Sequence, residues 1–304
     1  LIRTHGVARV ALCLALLSGA PPWADAADER SVVDDLDRRV TLAAPARRII
    51  ALSPHIAENL FAIGAGERLV GTVSYSDYPE AAKAIPRVGT YDRLDLETVL
   101  SLKPDLVISW VSSGTRPLAQ RLEALGLTVF YSESRTFEDV ARTFERLGVL
   151  TGQEARATER AARIRRRVAD LRHRYADAAP VSVFYQVWDQ PLMTVSEPHL
   201  IAEAIALCGG ENVFSGMDHP IPRISIENVL AADPEVIVAG GMGEANHDWL
   251  KAWQKWPQLQ AVAAERLVFI PPSLIQRHTE RAVEGATRLC DALQQARADR
   301  RAGP

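Results

Sequence analysis

The chain has 304 residues, of which 47% are hydrophobic and 24% are charged, and its formal net charge is −3. This is the composition of an ordinary globular protein, and the weak acidic balance gives no reason to expect nucleic-acid binding. A chain of this length can bury large cores, and it suits two lobes better than one.

The first element in chain order is a predicted secretory signal peptide at residues 1–26. Arg3 and Arg9 precede an apolar run at 10–17, and Ala24-Asp25-Ala26 has the small-x-small pattern that signal peptidase cleaves. The run is far shorter than the roughly 20 residues of a spanning helix. We therefore expect a periplasmic mature chain of about 278 residues, with a net charge of about −4 and no membrane anchor.

The cysteines indicate a disulfide bond. Cys13 is lost with the signal peptide, which leaves Cys208 and Cys290 in a compartment where disulfides persist. We expect these two to be paired, and closing the loop would stabilise the fold by about 4.5 kcal/mol in the chain-entropy model. Two unpaired buried thiols are the alternative. A catalytic thiol is disfavoured, because neither cysteine has a nearby histidine and both lie in helical patterns.

A first α/β lobe is predicted at residues 46–150. Residues 48–52 form an apolar strand, and Ser53 then stands where a helix N-cap is expected. The apolar stripe of that helix ends at Gly64. Further on, residues 94–109 predict a short helix, a Pro turn and a buried strand. Strands that alternate with helices in this way are typical of parallel α/β sheets.

The strongest sequence signal is an internal repeat. Residues 94–109, LDLETVLSLKPDLVIS, match residues 224–239, ISIENVLAADPEVIVA, at a constant offset of about 130 positions. A weaker pair joins residues 56–64 with 201–209. Two such pairs in the same order predict a duplication, with a second lobe of similar architecture at residues 179–298.

Between the lobes, residues 151–178 predict one long helix. Apolar residues recur every three or four positions from 157 to 175, which places them on one face. A helix from Gln153 to Ala178 would be about 39 Å long, enough to run along both lobes. Its arginines are interleaved with acidic residues, which indicates a solvated face and not a nucleic-acid site.

Together these motifs resemble those of the helical-backbone class of ABC-importer solute-binding proteins, and within it the cobalamin-binding family. The resemblance covers the whole mature chain and is sharpest at SYSDYP (74–79) and CGGEN (208–212), whereas the KPDLVI turn is shared with siderophore and haem receptors of the class. It implies two Rossmann-like lobes with parallel central sheets, joined by one long backbone helix, with the ligand held between them.

The resemblance also implies particular residue roles. Glu97 and Glu227 match the surface glutamates that dock onto arginines of a two-fold symmetric permease, although they could simply decorate short helices. The predicted ligand-binding residues are Tyr75, Tyr91, Trp110, Trp188, Ile221 and Arg277. All of them except Trp188 occupy positions that correspond to corrinoid contacts of the family, as does Val187. Trp188 is included because it stands next to Val187 and could compensate for the aromatic residue that is missing there. Flat aromatic side chains can cover the face of a corrin, while an arginine meets its polar fringe or its phosphate. The family has aromatic residues where this chain has Val187, Ile221 and Leu274.

The expected function is therefore capture of cobalamin or a related corrinoid and its delivery to an ABC-transporter permease dimer with its ATPase subunits. A haem or ferric-siderophore receptor is the alternative, and His55 and His278 leave an axial haem ligand open. We expect a monomer without enzyme activity, resident cofactor or directly bound metal ion, since the histidines are scattered and catalytic motifs such as G-x-S-x-G are absent from the sequence. A secreted two-lobed α/β enzyme is the minor alternative.

Overall fold

Two parallel β-sheets, each flanked by helices, form two α/β lobes in the computed structural model. It describes residues 1–2, 29–90, 92–241 and 243–302. The predicted signal peptide therefore lies almost entirely outside the described residues. Within them, no helix is long and apolar enough to cross a membrane.

The first lobe contains a five-stranded sheet in the order β5-β4-β3-β6-β7, with all neighbours parallel. An antiparallel hairpin precedes it. The elements in chain order are β1 (Arg30–Val33), β2 (Arg39–Leu42), β3 (Ile49–Ala51), α1 (Pro54–Ala62), β4 (Leu69–Val73), β5 (Arg87–Gly89), α2 (Leu96–Ser101), β6 (Leu106–Trp110), α3 (Arg116–Ala124), β7 (Val129–Ser132) and α4 (Phe137–Thr151). Single 3₁₀ turns lie at Gly66–Arg68 and Glu80–Ala84.

A single long helix, α5 (Glu154–Arg174), follows the first lobe. Its buried residues, Ala157, Ala161, Ile164, Val168 and Leu171, form the predicted apolar stripe. The helix is shorter than the sequence indicates, because the backbone turns at Tyr175 instead of continuing to Ala178. Its 21 residues span about 31 Å.

The second lobe contains a four-stranded sheet in the order β11-β10-β8-β9, again with all neighbours parallel. Its elements are β8 (Val181–Gln186), α6 (Leu200–Leu207), β9 (Gly210–Asn212), α7 (Ile226–Ala232), β10 (Val236–Ala239), α8 (Asp248–Trp253), α9 (Gln260–Ala263), β11 (Leu267–Phe269), α10 (Pro272–Ile275) and α11 (Ala282–Ala302). The strands β3, β6, β8 and β10 are buried along nearly their whole length, as expected for parallel strands covered on both faces.

The disulfide predicted between Cys208 and Cys290 is present, with a Cα–Cα distance of 4.7 Å. It joins the C-terminal end of α6 to the middle of α11, and both cysteines are fully buried. The alternative of two unpaired thiols is therefore wrong. The bond holds the last helix of the chain against the second lobe.

The internal repeat is visible as two matching units, α2–β6 and α7–β10. Each helix begins with a side-chain cap: Asp95 accepts the Thr98 amide at 3.0 Å, and Ser225 accepts the Asn228 amide at 3.3 Å. In both units a proline turn then leads into a buried central strand, so the repeat in sequence is a repeat in structure. Within α2, Val99 is fully buried and Leu100 is 40% exposed.

Candidate functional site

A cavity of about 380 Å³ lies between the lobes. The loops that follow parallel strands supply most of its walls, because the carboxyl ends of such strands form crevices where ligands bind. From the first lobe it is lined by Ser53, Pro54, His55, Tyr75, Asp77 and Trp110, and from the second by Gly241, Gly243, Glu244, Pro272, Ser273, Gln276 and Arg277.

Three of the six predicted ligand-binding residues meet in this cavity. Tyr75 follows β4 and is 75% exposed, and Trp110 ends β6. Arg277 enters from the second lobe, just after α10. The backbone of Tyr75 has φ +64°, in the left-handed region that a non-glycine residue adopts only with strain. This tight turn presents the phenol ring at the mouth of the cavity.

Two of the other predicted contacts lie elsewhere, and the third is not described by the structure. Trp188 and Ile221 are not among the described residues that line the cavity, and Tyr91 lies outside the described residues. Trp188 is 42% exposed, donates its indole N–H to the Gln190 carbonyl at 3.1 Å and packs edge-on against Trp249. The indole is thus a surface feature beyond the end of β8 and not part of the core.

Arg277 bridges the two lobes across the cavity. Its Nη2 lies 2.8 Å from Asp77 Oδ1 and donates to the Tyr75 carbonyl at 3.1 Å, and its Nη1 is 3.6 Å from Glu58 Oε2. All three acceptors belong to the first lobe. The guanidinium therefore ties the loop after β4 to the second lobe.

A second set of interlobe contacts lies behind the cavity, at α1. Glu58 is only 4% exposed and accepts two charge-assisted hydrogen bonds from Arg281, at 2.7 and 2.6 Å. Its neighbour Asn59 donates to the His278 carbonyl at 3.0 Å. The segment between α10 and α11 is thus fastened to the first helix of the first lobe.

Histidines from both lobes pack beside the cavity. The rings of His55 and His278 are 5.3 Å apart, and His199 stands 6.2 Å from His278. His55 and His278 are buried, with 6% and 5% of their surface exposed. Burial, together with the charge of Arg277, lowers the pKa of His55 to about 3. Burial likewise lowers the pKa of His199 to about 4 and that of His278 well below its usual range.

Ser53 shows why His55 takes this position. Ser53 stands at the N-cap of α1 with extended backbone, as predicted, but its side chain does not cap the helix. Its hydroxyl instead lies 2.8 Å from Nδ1 of His55. His55 therefore lines the cavity in an orientation fixed by its neighbour, whereas His278 is not among the described lining residues.

The predicted docking residues occupy equivalent places outside the cleft. Glu97 is the second residue of α2 and Glu227 is the second residue of α7, and both are exposed. Acidic side chains in a first turn also interact favourably with the helix dipole. Hydrogen bonding with Ser225 lowers the pKa of Glu227. Both glutamates are therefore available on the surface as one acidic group from each lobe.

Several polar residues of the site were not identified from the sequence. Glu58 and Asn59 are buried in α1, Asp77 lies within the quoted SYSDYP motif, and Glu244 and Gln276 follow β10 and α10. A signal was available for Glu58, since a carboxylate within an apolar helix pattern indicates a buried ion pair. The others become visible only when the lobes are brought together.

Two similar lobes, one connecting helix and a cavity between them define a solute-binding protein. The chain belongs to the periplasmic binding protein family, whose model matches residues 49–274. This family consists of binding proteins and not of enzymes. That the chain belongs to it confirms the periplasmic localisation predicted from the sequence.

Individual relatives are consistent with this assignment. The chain is 34% identical over 249 residues to a vitamin B12-binding protein of Vibrio cholerae, which covers 82% of this chain and 90% of the relative. The crystal structure of the periplasmic vitamin B12-binding protein of Vibrio cholerae superposes with a TM-score of 0.77 at 34% identity, over 84% of this chain and 99% of that one. A periplasmic haem-binding protein of a Roseiflexus species shares the fold, with a TM-score of 0.74 at 24% identity, over 83% of this chain and 99% of that one.

Proposed function

We propose that this protein captures cobalamin or a related corrinoid between its lobes and delivers it to an ABC-importer permease. The observation that carries the proposal is the interlobe cavity lined by Tyr75, Trp110 and Arg277, in a chain one-third identical to a vitamin B12-binding protein. Aromatic rings supply apolar contact for the face of a corrin, and Arg277 supplies a donor for its amide fringe.

A corrinoid is larger than the 380 Å³ cavity, so part of the ligand extends past the mouth formed by Tyr75. Access to the deeper part requires the lobes to separate around the bridge made by Arg277 and the loop after β4. Contacts at α1 and the continuous helix α5 limit that motion. The expected movement is therefore a modest opening at the mouth, and not a wide hinge closure.

Delivery requires a second surface, and Glu97 and Glu227 supply it in this proposal. A permease formed by two identical subunits can grip a duplicated protein through one acidic residue from each lobe. Charge-assisted hydrogen bonds to arginines would hold the loaded protein in place. ATP-driven rearrangement of the importer would then part the lobes and release the ligand.

The direct test is isothermal titration of residues 27–304 with cyanocobalamin, cobinamide and haem in parallel. The expected result is one-to-one binding of a corrinoid, with the difference between the two corrinoids reporting the contribution of the nucleotide tail. Binding of haem with no heat from either corrinoid would overturn the ligand assignment and favour the haem-receptor alternative.

A further inference from the structure

The side chains that line the cavity carry more negative than positive charge. Among the described residues that line it, Asp77 and Glu244 are acidic, and Arg277 is the one permanent cation. Glu58 stands directly behind Arg277 and is nearly inaccessible. Its charge is offset by Arg281, whose Nη2 lies 2.6 Å from Glu58. The lining together with this buried pair therefore carries a net charge of about −1.

Arg277 is also already engaged. Its guanidinium contacts Asp77 at 2.8 Å, the Tyr75 carbonyl at 3.1 Å and Glu58 at 3.6 Å, and only 16% of the side chain is exposed. A guanidinium has five N–H donors, and these acceptors satisfy the part of it that faces the first lobe. An anionic ligand group would therefore have to displace Asp77 or lie beside it, and two carboxylates at one guanidinium repel each other.

Glu244 adds negative charge on the opposite wall. It is exposed in the glycine-containing loop after β10, and its Oε2 accepts the hydroxyl of Ser273 at 2.6 Å. No ion pair joins Glu244 to a cation in the part of the chain that the structure describes. A hydroxyl donor holds this carboxylate in place without neutralising it, so its charge remains directed at the ligand.

The partial positive charge at the N-terminus of α1 offsets the negative charge of the cavity only weakly. Pro54 and His55 begin the helix and line the cavity. A helix end carries about half an elementary charge, which is less than one carboxylate, and Pro54 has no N–H to donate. The cavity therefore stays acidic when the helix dipole is included.

We propose that the cleft selects its chelate by charge: it binds uncharged or positively charged corrinoids in preference to those that carry an added carboxylate. Asp77 and Glu244 are the residues that impose this selection. The inference rests on the proposed function, because it concerns the ligand of the same cleft. It identifies the substrate class as a neutral or cationic amide-fringed macrocycle, which excludes anionic macrocycles such as porphyrins with free propionates.

The test compares ligands that differ in one charge and almost nothing else. Cyanocobalamin and its monocarboxylates, in which one peripheral amide has been hydrolysed, are titrated into the mature protein at low and high salt. At low salt, each monocarboxylate is expected to bind roughly fifteenfold to thirtyfold more weakly than the parent, from one charge acting over about 8–10 Å near a protein surface. The ratio is expected to shrink at about 1 M salt, where the screening length is only about 3 Å.

Variants identify the residues responsible. Asp77→Asn and Glu244→Gln keep the shape of each side chain, and each is expected to reduce the discrimination to about twofold or less. Asp77→Asn also removes the negative charge that lies against the Arg277 guanidinium, while its side-chain oxygen can still accept from it. The matched control is Asp291→Asn, which removes the same charge from the exposed face of α11 and is expected to leave the ratio unchanged.

The possible outcomes separate the two proposals. Equal affinity for cyanocobalamin and its monocarboxylates overturns charge selection and leaves the corrinoid function standing. A ratio that persists in both Asp77→Asn and Glu244→Gln overturns the assignment to these residues. Failure of every corrinoid to bind overturns the proposed function, and charge selection with it.

Discussion

The two lobes are alike where they would face a permease and different where they would face a ligand. The units α2–β6 and α7–β10 share a capped helix, a glutamate at its second position and a buried strand. At the cavity, the first lobe contributes the aromatic rings of Tyr75 and Trp110, whereas the second contributes polar groups and glycine turns. The duplicated lobes thus share an exposed glutamate at the start of a matching helix, whereas the residues with which they line the cavity differ.

Among changes to a single feature, loss of the disulfide is expected to have the largest effect on stability. The bond lies within the second lobe. Replacing Cys208 and Cys290 together by alanine is expected to lower the free energy of unfolding by about 4 kcal/mol, since the bond closes a loop of 82 residues. Urea denaturation of the oxidised protein, the reduced protein and the double variant measures this. A loss below about 1 kcal/mol would show that packing of α11 alone holds the second lobe together.

Acid is expected to lower the free energy of unfolding by protonating histidines that are buried at the boundary between the lobes. His55, His199 and His278 are held neutral by burial, with the pKa of His55 at about 3 and that of His199 at about 4. In the unfolded chain each takes up a proton near pH 6.5, so their contribution is complete above that pH. It is lost as pH falls from about 6.5 towards 3, by up to about 1.4 kcal/mol per pH unit for each histidine.

Urea denaturation at a series of pH values between 7.5 and 4.5 measures this dependence. His55→Gln is expected to flatten the slope below pH 6.5. The control is His173→Gln, which removes an exposed histidine from α5 and should leave the slope intact. An unchanged slope in His55→Gln would mean that His55 takes up its proton equally in both states.

The shared outer surface predicts equal effects from the two lobes. Glu97→Ala and Glu227→Ala are each expected to weaken binding of the loaded protein to its permease about tenfold to a hundredfold, the range for a lost charge-assisted hydrogen bond. Corrinoid affinity should not change. Surface plasmon resonance against reconstituted importer measures the effect, with Glu67→Ala and Glu211→Ala as controls for an exposed glutamate elsewhere on each lobe. A response in only one lobe would contradict the symmetric docking.

The smallest expected effects are on corrinoid affinity, and they distinguish a residue that lines the cavity from one that does not. Tyr75→Ala is expected to weaken corrinoid binding about tenfold, because an aromatic contact at the mouth of the cavity is lost. Trp188→Ala should weaken it by no more than about twofold, since Trp188 lies outside the cavity lining. Titration of both variants measures the difference. A larger loss from Trp188→Ala would place the ligand against the pair formed by Trp188 and Trp249.

Local signals predicted most of the fold. Runs of β-branched and aliphatic residues identified β3, β6 and β10, because these strands are buried on both faces. The β1–β2 hairpin was not predicted, since its short strands mix exposed and buried positions without an apolar run. The end of α5 was also misplaced, because Tyr175 continues the apolar spacing although the backbone has already left the helix.

The site could be predicted only in part, because its key contacts join distant residues. Tyr75, Trp110 and Arg277 were named from a resemblance, and the structure brings them together. The bond between Asp77 and Arg277 spans 200 positions, and nothing in the local sequence indicates it. The Ser53 hydroxyl hydrogen-bonds with the ring of His55 and does not cap the N-terminus of α1. Helix-capping preferences do not predict which of these two partners a serine takes.

The ion pair between Glu58 and Arg281 has a consequence for the ancestry of the molecule. A half that began as one copy of a repeated unit now contains a buried carboxylate whose counter-charge is carried by the other half. If Arg281 alone were lost, that carboxylate would stay buried without its counter-charge, at a cost of about 3–5 kcal/mol, a large share of the stability of a small domain. The first half has thus come to depend on the second, because the charge that it buries is balanced from across the boundary between them.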